Sequence, residues 1–196
     1  MMEKGNIKII GGKYRGKKLF MNTKETTRST KQILKEAIFN SLQWEVPDST
    51  WVEVFSGVGS IGLEAISRGA KKAYFLEKDP EAAKVLKRNI DSLKPEDKEK
   101  CEIIVGDSFE TIWDVIERLK REKDRAIFYF DPPFAIRKGY EDIYEKVQNL
   151  IKQLPKMNVE KILIEHQSDY EFPEHLGKYK KIKTKKFGKS AVTFYE

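Results

Sequence analysis

The chain is 196 residues long, 39% hydrophobic and 35% charged, with a formal net charge of +7. That length and apolar fraction suit one domain with a sizeable core and exclude disorder, while the positive charge fits either a polyanionic partner or a solvated lysine-rich surface. Cys101 stands alone, so no intrachain disulfide is possible; no run approaches the ~20 apolar residues of a membrane span, and no apolar signal core follows Met1, so a cytoplasmic protein is expected.

In chain order, two short β-like runs within residues 6–20 flank Gly11-Gly12, which predicts a hairpin. This N-terminal extension, residues 1–24, carries Lys4, Lys8, Lys13, Arg15, Lys17, Lys18 and Lys24 against Glu3 alone. Lys13, Tyr14, Arg15, Lys17 and Lys18 suit a phosphate backbone plus an exposed base. A lysine-guarded edge hairpin is the competing reading. The main domain, residues 25–196, begins with a helix over Lys31–Leu42, whose Ile33, Leu34, Ala37, Ile38 and Leu42 form a core-facing stripe. Arg28 precedes it, where the helix dipole disfavours a cation, and so hints at an anionic ligand.

Trp51–Phe55 reads as a buried strand that runs into Gly57-Val58-Gly59 and a helix from Ser60 to Arg68. Gly57-x-Gly59-x-x-Gly62, with Glu77 further on, satisfies a dinucleotide fingerprint, so NAD and S-adenosylmethionine (SAM) are both open. Glu53, inside the strand, would repel a pyrophosphate but suits the ammonium of a methionyl group. Strands follow at Lys72–Glu77, Cys101–Val105, Ala126–Phe130 and Val159–Glu165. Helices over Pro80–Leu93, Ser108–Lys123 and Tyr140–Leu154 separate them, with a polar connection at Lys94–Lys100. This alternation predicts right-handed crossovers and a mostly parallel sheet. The end differs: Lys178–Lys186, a turn at Phe187–Ser190 and Ala191–Tyr195 predict an antiparallel hairpin, since strands joined by a short turn cannot be parallel neighbours. His166 and His175 have no cysteine cluster beside them, and no metal site is expected.

Ligands in an open parallel sheet bind beyond the carboxyl ends of the strands. Those ends are Phe55-Ser56-Gly57, Glu77-Lys78, Gly106-Asp107-Ser108 and Asp131-Pro132-Pro133-Phe134. Glu77 can accept from both ribose hydroxyls and Asp107 from an adenine amine, although Asp107 can equally cap the next helix. In Asp131-Pro132-Pro133-Phe134 two prolines fix φ and remove N–H donors. If the Asp131 carboxylate and the Pro132 carbonyl each accept one hydrogen of an exocyclic amine, its nitrogen can pyramidalise toward a SAM methyl, with Phe134 stacked on the base. Catalysis is then mainly positioning.

Glu53-x-Phe55-x-Gly57-x-Gly59 followed by Asp131-Pro132-Pro133-Phe134 resembles the SAM-dependent methyltransferases of exocyclic base nitrogens. Ile10-Gly11-Gly12-Lys13-Tyr14-Arg15-Gly16-Lys17-Lys18-Leu19, Arg28-Ser29-Thr30, Glu36–Leu42, Gly62–Ala70 and Phe187-Gly188 narrow the resemblance to the RsmD family, over nearly the whole chain. That family methylates guanine N2 in 16S ribosomal RNA. The resemblance implies a Rossmann-like SAM methyltransferase fold: a seven-stranded mostly parallel sheet, an antiparallel C-terminal strand and an N-terminal β-hairpin that helps grip RNA. It implies SAM lined by Phe55, Ser56, Gly57 and Gly59 and held by Glu77 and Asp107, with Asp131 to Phe134 as the catalytic loop. Lys78 and Ser108 join the cofactor set by their place at strand ends. Two residues depart from the family pattern: Glu53 stands where Asp is usual and Ser29 where Pro is usual. The implied partner is an assembling small ribosomal subunit; a monomer without metal or membrane is expected. An adenine-N6 DNA methyltransferase and a non-catalytic SAM- and RNA-binding module are the rival readings; the chain has little room for a DNA-reading domain.

Overall fold

The computed structural model describes residues 2–22 and 29–196. The elements in order are β1 (Met2–Lys8), β2 (Lys18–Asn22), α1 (Ser29–Ser41), β3 (Thr50–Val54), α2 (Ser60–Ser67), β4 (Lys72–Glu77), α3 (Pro80–Asp91), α4 (Pro95–Lys98) and β5 (Cys101–Val105). They continue with α5 (Ser108–Glu122), β6 (Ala126–Phe130), α6 (Ile143–Gln153), β7 (Val159–Gln167), β8 (His175–Leu176), β9 (Tyr179–Phe187) and β10 (Ser190–Tyr195).

The main sheet runs β5-β4-β3-β6-β7-β10-β9-β8, and β1 and β2 form a separate antiparallel pair. β3, β4, β5, β6 and β7 are parallel; β10 is antiparallel to both β7 and β9. The expected seven strands are present in this sheet, with the two-residue β8 added on its edge. The strand order reverses beside β3: the chain winds outward through β4 and β5, then returns to lay β6 on the other side. A crevice at the carboxyl ends of β3 and β6 follows from that switch.

Two cores flank the sheet. Successive strand side chains alternate faces, so Trp51, Ile127, Tyr129 and Leu163 meet α1, α2 and α3 on one side, while Val52, Val54, Phe128, Phe130 and Ile164 meet α5 and α6 on the other. Phe39 of α1 stacks on Trp51 at 5.1 Å. Burial on both faces explains why β6 reads as a continuous apolar run.

The N-terminal pair belongs to the first of these cores through Ile7, Ile9, Leu19 and Met21. Asn89 of α3 accepts from Phe20 N at 2.7 Å and donates to its carbonyl at 3.1 Å, so a side chain completes part of the edge of β2. The tight turn expected at Gly11-Gly12 is instead a longer connection containing a 3₁₀ turn, Gly12–Tyr14. The glycines serve close approach: a Cβ on Gly12 would stand 2.0 Å from the Ser67 carbonyl oxygen. The polar connection expected at Lys94–Lys100 contains the short helix α4, because Pro95 opens a turn that buries Asp97. The expected domain boundary after residue 24 and the cation Arg28 fall outside the described residues.

Glu64 of α2 is completely buried and fully partnered. It accepts from Ile10 N and Gly11 N, each at 2.9 Å, and from Arg68 Nε at 2.8 Å, and lies 3.2 Å from Lys35 Nζ. Removing one partner from a buried ion pair leaves an uncompensated charge. Glu64→Ala is therefore predicted to lower unfolding free energy by about 3–5 kcal/mol, read as a shifted urea midpoint at unchanged slope.

Candidate functional site

A cleft of about 1270 Å³ opens over the carboxyl ends of the parallel strands. Of the residues expected at a cofactor, Glu53, Phe55, Ser56, Gly57, Glu77, Lys78, Asp107 and Ser108 line it; so do all four residues Asp131 to Phe134. Gly59 does not. A Cβ there would stand 2.4 Å from Leu86 Cδ1 and 3.2 Å from Phe75 Cε1, so its missing side chain serves helix packing instead.

The glycine loop is shaped by backbone that turns left-handed. Phe55 has φ 62° and Gly57 φ 55°. Nothing lies within 4 Å of a Cβ built on Gly57, so the loop presents bare backbone to open space. Glu77 at the end of β4 fixes this loop: Oε2 accepts from Gly57 N at 2.6 Å, and Oε1 accepts from Asp79 N at 3.0 Å. Each oxygen keeps a second lone pair for a hydroxyl. Asp107 caps α5 through Phe109 N at 3.0 Å, which realises the capping alternative and leaves its other oxygen beside the cleft. The hydroxyls of Ser56 and Ser108 are buried in the cleft wall with no hydrogen-bond partner. Orphaned buried hydroxyls cost stability, and their place beside bare backbone fits a polar nucleoside-type cofactor.

Glu53 is the informative departure from a dinucleotide site. Its Oε2 accepts from Gly62 N at 2.7 Å and its Oε1 from Ile61 N at 3.3 Å. The amides at the start of α2, where a pyrophosphate would bind, are thus taken by the chain's own carboxylate. Burial pushes the Glu53 carboxyl up to about 8 despite those two N–H donors.

Asp131 leaves β6 with its N–H on the Val54 carbonyl at 3.2 Å. Its carboxylate is partly exposed, 3.7 Å from Lys31 Nζ, and Lys31 Nζ lies 3.9 Å from Glu165 Oε2. Pro132 is buried, which stiffens the start of the loop, while Pro133 and Phe134 stay half-exposed in the cleft wall. Lys31, Glu165 and the rim residues Ile136 to Tyr140 are cleft residues that the residue pattern alone did not place there. Glu165 carried a legible signal, since the expected strand Val159–Glu165 ends on it, although β7 runs on to Gln167.

The hairpin cations divide into two groups. Lys13 Nζ bonds Asp97 Oδ2 at 2.8 Å, and the Tyr14 hydroxyl donates to the same oxygen at 2.5 Å while accepting from Lys94 N at 3.0 Å. These two residues brace α4. Arg15 and Lys18 are exposed, and Lys17 is half-buried, 6.0 Å from the centre of the Tyr14 ring. Among the described residues, no group of His, Cys, Asp and Glu stands close enough to hold a metal ion, and no helix is long and apolar enough to cross a membrane.

Comparison with known proteins bears on this geometry. The family described as Conserved hypothetical protein 95 matches residues 7–196. Ribosomal RNA small subunit methyltransferase D of Haemophilus influenzae is 37% identical over 131 residues, 67% of this chain and 65% of that protein. The solved structure of YhhF from Escherichia coli superposes with a TM-score of 0.75 at 27% identity over 97% of both chains. An RNA methyltransferase from Salinibacter ruber, solved with S-adenosyl-L-homocysteine, shares the fold at a TM-score of 0.57 and 15% identity over 83% of this chain and 89% of that one.

A raised carboxyl pKa favours the fold at low pH. The Glu53 contribution is fully present below about 4.5 and is lost as pH rises through about 8. Glu53→Gln is predicted to flatten the fall in stability across that window, measured as urea midpoints at stepped pH against the unsubstituted protein.

Proposed function

Given that the chain belongs to the family described as Conserved hypothetical protein 95, the RsmD family, we propose that it transfers a methyl group from SAM to the exocyclic N2 of a guanine in small-subunit (16S) ribosomal RNA. The observation that carries this reading is the meeting of the Glu53-to-Gly57 loop and Asp131-to-Phe134 in one cleft at the switch point of the sheet. The residues fit SAM: bare backbone at Gly57, two unpartnered hydroxyls, and helix amides closed to a pyrophosphate by Glu53. The named ribosomal RNA methyltransferase among its relatives supports the substrate class.

SAM supplies an electrophilic methyl carbon on a sulfonium centre. The chain's own groups do the positioning. Glu77, pre-oriented by two backbone amides, takes the ribose hydroxyls. Asp107 accepts from the adenine amine, Ser56 and Ser108 donate to the cofactor, and Glu53 faces the methionyl ammonium. An exocyclic amine is a poor nucleophile because its lone pair is delocalised into the ring. Asp131 and the Pro132 carbonyl each accept one of its hydrogens, which localises the lone pair, and Phe134 stacks on a base swung out of its helix. Aligned attack supplies most of the barrier reduction, and the excess proton leaves after transfer without a strong base. Arg15, Lys17 and Lys18 face the RNA backbone, with Arg28 as a further candidate. The substrate is an assembling subunit in the cytoplasm, and the protein acts as a monomer.

The test is transfer of radiolabelled methyl from SAM to small subunits lacking the modification, followed by nucleoside analysis. N2-methylguanosine is the expected product; N6-methyladenosine would replace the proposed base and atom. Asp131→Ala is predicted to cut transfer by about 10²-fold or more with SAM affinity within a few-fold, measured by calorimetry. Arg15→Ala with Lys18→Ala is predicted to reduce the salt slope of RNA binding by about 0.7 for each single-strand phosphate left without its cation, and an unchanged slope would return the hairpin to a purely structural role.

A further inference from the structure

Glu165, two residues before the end of β7, has no task in the chemistry above. Phe130 stands opposite Ile164 in the parallel β6–β7 ladder, so Asp131 and Glu165 follow at one level. Tyr129, two residues before Asp131 and so on the same face, donates to Glu165 Oε1 at 2.7 Å. Lys31 of α1 completes a triangle, 3.7 Å from Asp131 Oδ2 and 3.9 Å from Glu165 Oε2. The Glu165 side chain is only 6% exposed, yet it lines the cleft together with Asp131 and Pro132. A carboxyl so deeply buried is costly to keep, and an apolar residue would pack there without that cost.

Resting on the guanine-N2 reading, we propose that Glu165 and Lys31 are the residues that select guanine: Glu165 accepts from N1–H and Lys31 donates to O6, while Asp131 holds the N2 amine. The edge of guanine presents two donors, N2–H and N1–H, and then an acceptor, O6. The cleft offers two acceptors side by side and one long-chain donor that stands 3.7 Å from the first and 3.9 Å from the second. Burial, followed by the nearby Asp131 charge, raises the Glu165 pKa to about 8. A protonated carboxyl keeps acceptor capacity on its oxygens. The oxygens turned toward the cleft are left as acceptors. Adenine, with its amine at Asp131, would set a bare N1 lone pair against one of them and give the Lys31 ammonium no oxygen. A site built to hydrogen-bond a substrate group rejects analogues that lack it, because its own buried groups are then left unpaired.

The discriminating substrate is RNA carrying 2,6-diaminopurine in place of the guanine that the labelled transfer locates. It keeps the reactive 2-amine but lacks N1–H and O6. The unsubstituted enzyme is expected to prefer guanine by roughly 10- to 100-fold in kcat/KM, as befits one to three kcal/mol of base discrimination. Glu165→Ala should collapse that ratio to within a few-fold by losing activity on guanine alone, and Lys31→Met, at a side chain 54% exposed, should reduce it as well. Equal losses on both bases would make Glu165 a structural residue and overturn the proposal. So would an unaltered ratio in both variants, or, where Glu165→Ala fails to fold, an unaltered ratio in Lys31→Met. If the unsubstituted enzyme instead yields N6-methyladenosine, the guanine reading itself falls; N2-methylguanosine with undiminished discrimination in the variants sinks only the assignment of Glu165 and Lys31.

Discussion

One buried carboxylate holds three parts of the chain in register. Glu64 takes the amides that follow β1, the Arg68 side chain one helical turn on, and the Lys35 ammonium from α1. Lys35 Nζ is fixed further by the Lys8 carbonyl at 2.8 Å and Ser60 Oγ at 2.9 Å. Lys31 lies one turn before Lys35 on the same helix face, so anchoring Lys35 also sets Lys31 above Asp131 and Glu165. Such an ion pair adds less stability than well-packed apolar residues would. Its effect here is geometric: it couples the hairpin, α1 and α2 to the reacting end of the sheet.

The sheet register does the rest. Glu53, Tyr129 and Glu165 occupy neighbouring strands on one face, and Asp131 follows directly on β6, because β3, β6 and β7 are parallel and paired Glu53 to Tyr129 and Phe130 to Ile164. Glu53 and Glu165 therefore converge from within strands, and Asp131 joins them as the first residue after β6. The same periodicity sends Val54 and Phe130 into the opposite core, so the acidic end of the cleft is backed by rigid packing. A dinucleotide fold needs the start of the first helix vacant for phosphate; here Glu53 occupies it, and the glycine spacing alone could not have revealed that.

Much of the frame is legible in the residues. β4, β5 and β6 span the residues expected of them, since each is a short apolar run bounded by turn or charged residues. The strand-end rule gathered Phe55, Glu77, Asp107 and Asp131 into one cleft from stretches far apart in the chain. The misses have physical causes. Gly59 shares the flexibility of Gly57, but Leu86 and Phe75, distant in sequence, decide what its missing side chain makes room for. Lys13 and Tyr14 look like free RNA-binding groups until α4 brings Asp97 under them. Arg118 and Glu102, paired across α5 and β5, show the same thing at the far edge: which charges meet is a property of the tertiary fold.

The place of β10 has a consequence for how the molecule is made. It lies between β7 and β9, so β9 joins the sheet only through a strand that follows it in the chain. As the polypeptide emerges in order, lysine-rich β9, paired only with two-residue β8 at Tyr179 and Lys180, waits until residues 190–195 exist to bridge it to β7. Its charges, Lys180, Lys181, Lys183, Lys185 and Lys186, then keep the rest of that strand from pairing with another nascent chain. The open edge of the finished sheet is thus guarded during synthesis by the same side chains that solvate it afterwards.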